Sequence, residues 1–344
     1  MRIMLSISPR NDEILHIRKT LENLGHEVRL FGLVHVFEQH YWRRKMVPWR
    51  EGRAQKQYEK DCRRECLDLL HSWRPNPMLF INLPDQLFSY EEMHSVCREA
   101  HKMNCHVCTW MIDLCARDDE TKQFCGLFDQ VYSYEKADVQ WLSGSGVPAH
   151  FLPVGYAEAY GIVEPVNPER DIVFIGTPYH SRLHLLQRVA QESRRQGWVF
   201  QAIGPFWEKR HPWKPLLGRF RYPQLYSYVD NRKISPEEAA KIYAGSRICL
   251  NFHLAAAASC NPRTYEILAA GGFQVIDKRQ NYDILEPGKD IVAFDDVDDL
   301  LEKITYYLSH DEQRHVIAQA GRAKILGRRS LQTALKEVLG EAGL

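Results

Sequence analysis

Two successive series of alternating strand and helix signals run through this chain, and that alternation restricts it to parallel sheets flanked by helices. Arg2–Ser8 is a short β-rich run ending in Ser-Pro. Asp12–Leu24 then places Ile14, Leu15, Ile17, Leu21 and Leu24 near helical spacing, and Gly25 follows as a C-cap would. His26–Phe31 reads as a second strand and Arg53–Trp73 as a charged amphipathic helix. Strands Met78–Leu83, His106–Ile112 and Gln130–Ser133 alternate with helices over Tyr90–Met103 and up to Leu142. The pattern breaks at Tyr156–Pro168, which holds Gly161, Pro165 and Pro168, and this stretch reads as a linker.

The second series opens with the apolar strand Asp171–Ile175. It continues through helix Leu183–Gln196, strand Val199–Ile203, helix Pro236–Ala244 and strand Arg247–Asn251. A helix opens after Asn261-Pro262, strands Phe273–Ile276 and Ile291–Phe294 follow, and the chain is helical from about Val297. The expected architecture is α/β: two doubly wound, Rossmann-like domains facing a central cleft. Their expected bounds are 1–160 and 168–325, with a helix in 326–344 packing back on the first domain. Ligand loops are then expected after Ile7, Ile112, Ile175, Ile203 and Asn251, at the carboxyl ends of strands.

Composition excludes several classes. With 344 residues, 44% hydrophobic and 11% aromatic, the chain has ample core material and is not a disordered segment. Lys and Arg number 45 against 44 Asp and Glu, a net charge of +1, which argues against a dedicated nucleic-acid binder. No apolar run reaches a membrane span, and the N-terminal run is too short for a signal peptide. Cytoplasmic residence is therefore the expectation. Five of nine cysteines fall between Cys97 and Cys125. Cys105 and Cys108 have zinc-like spacing with His101 nearby, but no second Cys-x-x-Cys pair completes a tetrahedral site. Buried, reduced thiols are the expected state, and no metal site is assigned.

Three places carry candidate chemistry. The strongest is Cys260-Asn261-Pro262-Arg263-Thr264-Tyr265-Glu266, with Gly271-Gly272 after it. Asn261 suits an N-cap and Pro262 a first helical turn, so the helix start offers backbone N–H groups to phosphate. Arg263 adds a cation there, and Glu266, one turn on, can accept from two ribose hydroxyls. The other reading is a capped helix with a surface Arg–Glu pair. The second place is Gly176-Thr177-Pro178-Tyr179-His180-Ser181-Arg182, a strand-to-helix turn carrying an early arginine but lacking the glycines of a nucleotide fingerprint. The third is Asp113, at the end of the strand Cys108–Ile112, either a cleft carboxylate or a helix cap. His253, after strand Arg247–Asn251, faces the cleft or is a satisfied structural histidine.

These pieces, in order, resemble the CgeB-like glycosyltransferases of the GT-B superfamily. The likeness runs through Asp171–Thr177, Ala202-Ile203-Gly204, Ile248–His253, Asn261–Gly272 and Leu285–Asp290, and in the first half through Thr109–Asp113 and Phe128–Ser133. It implies a nucleotide-sugar donor, UDP- or dTDP-linked, as substrate rather than cofactor, bound mainly by the C-terminal half. It places Gly176, Thr177, Arg182, Gly204, Asn261, Arg263, Thr264 and Glu266 in the donor site, with Asp113 and His253 as catalytic candidates. It also implies a metal-independent reaction in which cations and a helix start neutralise the leaving diphosphate. Related retaining enzymes carry two glutamates separated by seven residues; counting back from Glu266, the first of the two falls at Ala258. The rival reading is a catalytically silent nucleotide-sugar-binding or scaffold protein on the same fold.

Two segments mix basic and aromatic residues, His40–Arg50 and Phe206–His211 continuing to Arg219–Tyr222. They suit an acceptor, which is a protein, a glycan or a small molecule, or peripheral contact with a membrane surface, against the alternative of self-packed solvated loops.

Overall fold

The computed structural model describes residues 1–6, 13–31, 51–85, 87–164, 166–207 and 213–340. The loop expected after Ile7, the His40–Arg50 segment and Glu208–His211 lie outside the described residues. The chain divides into two compact units, one of Met1–Val154 together with the chain from Leu331 onward, the other of Gly155–Ser330.

In the first unit, strands β1 (Arg2–Ser6), β2 (Glu27–Phe31), β3 (Met78–Ile81), β4 (Val107–Met111), β5 (Gln130–Ser133) and β6 (Ala149–Phe151) pair in parallel. Their order is β2-β1-β3-β4-β5-β6. The accompanying helices are α1 (Glu13–Asn23), α2 (Glu51–Trp73), α3 (Tyr90–Lys102), α4 (Asp119–Cys125) and α5 (Lys136–Ser143). All four residues of β3 are buried because the sheet is covered on both faces. Met78 and Phe80 enter one core cluster while Leu79 and Ile81 enter the other, as the two-residue period of a strand requires.

The second unit repeats this plan. Its strands are β7 (Arg170–Ile175), β8 (Phe200–Ile203), β9 (Val229–Asp230), β10 (Ser246–Asn251), β11 (Gln274–Asp277) and β12 (Val292–Phe294). Ile172 and Phe174 of β7 point into one core, Val173 and Ile175 into the other. The helices are α6 (Glu158–Gly161), α7 (His180–Gln196), α8 (Trp213–Arg221), α9 (Pro223–Tyr226), α10 (Pro236–Ala244), α11 (Pro262–Ala269), α12 (Val297–Leu308) and α13 (Asp311–Ile325). The chain then returns to the first unit as α14 (Leu331–Val338), whose Leu331, Leu335 and Val338 share a core with Ile14, Ile17 and Leu21 of α1.

The stretch expected to be a linker belongs to the second unit. Tyr156 and Tyr160 are each 6% exposed and sit in its core, and Tyr156 bridges to Ser330. Burial of two aromatic rings outweighs the local Gly and Pro content. All nine cysteines are free. Burial pushes the Cys105 thiol up to about 11 and that of Cys108 to about 12, so both stay protonated at neutral pH.

Candidate functional site

Counted from its own first strand, the second sheet runs 3-2-1-4-5-6. Its direction of winding reverses between β7 and β10, and the crevice at the carboxyl ends of those strands is where such sheets take ligands. Gly176 extends β7 by donating its N–H to Ile203 O at 2.9 Å. A Cβ on Gly204, which has φ of 151°, would fall on the Gly176 carbonyl oxygen, so only glycine lets the two turns meet. A Cβ on Gly176 would stand 3.2 Å from Nη1 of Arg263. The expected turn residues and Arg263 are thus together.

Arg182 sits in the first turn of α7 and is 5% exposed. Its Nη1 donates to Thr177 O at 3.1 Å, and its guanidinium lies 4.9 Å over the Tyr179 ring. Its Nε is buried without a hydrogen-bond partner. Burial, and then the Arg263 charge, bring its pKa down to about 10. Arg263 donates from Nε to the Tyr243 hydroxyl at 3.2 Å. Among the described residues neither guanidinium has a carboxylate within ion-pair distance. Two cations converge on one backbone turn, with Glu266 the carboxylate that acts on Arg263 from beyond ion-pair distance.

The helix that carries Arg263 is set by a polar network beneath it. Asn261 Oδ1 accepts from Thr264 N at 3.1 Å, closing the N-cap. Asn251 Nδ2, at the end of β10, donates to Asn261 Oδ1, Thr264 Oγ1 and Gln274 Oε1 at 2.9–3.0 Å. Thr264 is fully buried and its hydroxyl is engaged in this network. Thr264, expected in the donor site, here holds the helix start in place together with the Asn261 side chain. Glu266 is half-buried one turn on. Burial raises its pKa above the usual carboxylate range, with the Arg263 charge and the Tyr160 hydroxyl acting the other way.

His253 lies behind the surface rather than on it, since its side chain has no exposed area. Its Nδ1 is 2.8 Å from Asp277 Oδ1, which also accepts from the His253 backbone N–H at 2.9 Å. Burial lowers the His253 pKa, whereas the Asp277 carboxyl, despite burial, is held low chiefly by its His253 bond and by Arg279. The neutral imidazole therefore donates from Nδ1, and Nε2 carries a lone pair with no partner in the protein. Arg279 bonds Asp277 Oδ2 at 2.5 Å and the Ala257 carbonyl at 2.5 Å, tying the loop that holds Ala258.

Asp113 lies in the first unit, just past β4, and is exposed. It does not cap the following helix, whose N-cap is Asp118, accepting from Thr121 N at 2.8 Å. Instead Asp113 Oδ2 accepts from Asn82 Nδ2 at 2.9 Å. Asn82, in the left-handed region at φ 61°, also accepts from Ile112 N and Asp113 N. Asn82, Tyr160, Tyr243, Asp277 and Arg279 were not read from the sequence. Asn82 and Asp277 stand at the carboxyl ends of apolar strands, and that position is the signal that marks them.

Two parallel six-stranded sheets, each flanked by helices, give this chain the fold seen in GT-B glycosyltransferases. Its structure superposes on a glycosyltransferase from Rickettsia africae with a TM-score of 0.70, at 12% identity, covering 98% of this chain and 97% of that one. It superposes on Anabaena HepE, solved with UDP-glucose, with a TM-score of 0.67, at 12% identity, covering 99% and 98%. In sequence, residues 182–340 match the family described as glycosyl transferase-like. Spore protein CgeB of Bacillus subtilis is 27% identical over 195 residues, 50% of this chain, and the match spans 57% of the length of that curated relative. The likeness to CgeB-like glycosyltransferases expected from the motifs is therefore found.

Proposed function

We propose that this protein is a glycosyltransferase that moves a sugar from a nucleotide-sugar donor to an acceptor, the nucleoside diphosphate being held by the second unit. The observation that carries this reading is the pair Arg182 and Arg263, two guanidiniums beside the Gly176–Thr177 turn with no carboxylate within ion-pair distance among the described residues. Buried cations are costly unless something anionic pairs with them, and a diphosphate at a helix start fits that need. The solved complexes of HepE with UDP and with UDP-glucose support a uridine donor, with dTDP as the second choice.

In this reading the charge that develops on the departing diphosphate is met by Arg182, Arg263 and the N-terminus of α11, without a metal ion. Glu266 accepts from the ribose hydroxyls. Gly204 keeps the turn open to the phosphates. His253 and Asp277 are positioning residues that hold the floor of the site in one charge state. Asp113 takes the proton of the acceptor hydroxyl if the reaction inverts, and orients the acceptor if it retains. Ala258 leaves the sugar hydroxyls to other groups.

Titration calorimetry with UDP and dTDP in the presence of EDTA tests the site. Binding that survives EDTA is expected. Failure of every nucleoside diphosphate to bind, or binding only with magnesium or manganese, overturns it. Slow release of free sugar from the bound donor separates a transferase from a silent binding protein.

A further inference from the structure

The short helix α8 exposes an apolar face that nothing in the second unit covers. Leu216, Leu217 and Phe220 are 57%, 58% and 77% exposed. At 100° per residue these three occupy one arc of the helix, and Arg219 and Arg221, both exposed, flank that arc on either side. Gly218, on the opposite side, is buried. A Cβ there would press into the Trp207 ring at 2.7 Å, so the glycine lets the helix lie flat on Trp207. Trp207 is itself stacked on Tyr222 and Tyr226, at ring distances of 6.5 and 5.9 Å. Leu225 N in turn donates to Gln187 of α7 at 3.0 Å. The inner face of α8 is anchored to the core, and its apolar side is turned outward.

Charge selects the occupant of that face. From Lys209 to Val229 the sequence has five Lys or Arg and no Asp or Glu, although the whole chain carries only +1. A protein partner would need a matching acidic groove, whereas an anionic bilayer offers a continuous negative surface over an apolar interior. No helix among the described residues is long and apolar enough to cross a membrane, so contact at this face is peripheral. We propose that α8 docks this protein on anionic lipid membranes. Leu216, Leu217 and Phe220 enter the boundary between headgroups and acyl chains, and Arg219 and Arg221 meet the phosphates. This inference stands on the α8 surface alone and does not depend on the proposed donor site.

The test is co-sedimentation of the full chain with vesicles of phosphatidylglycerol and phosphatidylcholine in equal parts, against vesicles of phosphatidylcholine alone. Binding to the anionic vesicles is expected, with weakening at high salt. Phe220→Ser should cut the partition coefficient about tenfold or more, and each of Arg219→Gln and Arg221→Gln about fivefold. Melting temperature and UDP affinity of the variants should match wild type, because the substituted side chains are exposed and outside the arginine pair. No binding to anionic vesicles, equal binding to both vesicle types, or Phe220→Ser binding like wild type overturns the proposal. So does a solution dimer that Phe220→Ser dissolves, which would give the face to a second copy of this chain.

Discussion

In the first unit, winding reverses between β1 and β3, and the polar groups past β3 and β4 close on one another. Asn82 bonds Asp113, Ile112 and the Trp110 carbonyl, and Thr109 Oγ1 bonds back to Asn82 O at 3.0 Å. In the second unit, winding reverses between β7 and β10, and there the groups stay open: Arg182 Nε and His253 Nε2 are buried without partners. Both sheets are parallel, six-stranded and covered on both faces. The contrast is one of satisfaction. The interlocked Asn82 bonds add stability and leave the Asp113 carboxylate exposed, while buried cations with no carboxylate at ion-pair distance lower stability until an anion arrives. We therefore propose that ligand affinity belongs to the second edge and that Asp113 is the candidate at the first.

The largest effect tests what Asp113 does. Asp113→Asn keeps the Asn82 contact geometry but removes the base, so turnover should fall by about 10²-fold or more if the reaction inverts. UDP affinity and melting temperature should stay at wild-type values. A lowered melting temperature with wild-type turnover would return Asp113 to a purely structural role. Next in size, Arg182→Met should weaken UDP binding by about 10–100-fold, the loss of a charge-assisted bond. Without ligand the same variant should be as stable as wild type, or more stable by about 1 kcal/mol, because a buried cation with no carboxylate partner is gone. Asn82→Ala is the mirror image: a stability loss of about 1–3 kcal/mol with UDP affinity unchanged. Calorimetry and thermal melts on both variants decide the matter, and matching signs for the two would erase the contrast.

The reach of the sequence follows the same division. Continuous apolar runs such as Met78–Ile81 and Asp171–Ile175 are legible as strands because burial on both faces forces their composition. The edge strands Ala149–Phe151 and Val229–Asp230 are too short to show a period, and both were missed. The Asn261–Glu266 helix start was legible because capping needs specific residue types at fixed spacing. That spacing cannot say which side chains face inward, so the burial of Thr264 was not legible. Asn82 and Asp277 follow apolar strands without any motif, and only the strand order of each unit places Asn82 beside Asp113 and Asp277 beside His253. Tyr160 was hidden because Gly and Pro around it suggested a linker, whereas its ring packs against Tyr243 at 6.3 Å in the core.

The smallest effect concerns Glu266, and its sign makes it informative. Burial holds the Glu266 carboxyl above its ordinary pKa, so the folded, unliganded protein prefers the protonated acid. The ionised form therefore lowers stability, and wild type regains that stability as pH falls through the raised pKa toward the ordinary carboxylate value. Glu266→Gln is locked in the uncharged state. It should melt higher than wild type near pH 7, and this advantage should shrink as the pH is lowered toward about 4.5. The same substitution replaces a charged acceptor of ribose hydroxyls with an amide oxygen, so UDP affinity should fall about tenfold. Stability and affinity thus move in opposite directions, as expected of a carboxylate kept for a ligand. If Glu266 serves only to balance Arg263, removing its charge leaves a buried cation alone, the variant melts lower at every pH, and UDP binds as before. Melts at two pH values and one titration distinguish these outcomes, and the second outcome would reduce the open edge of this unit to Arg182 and His253.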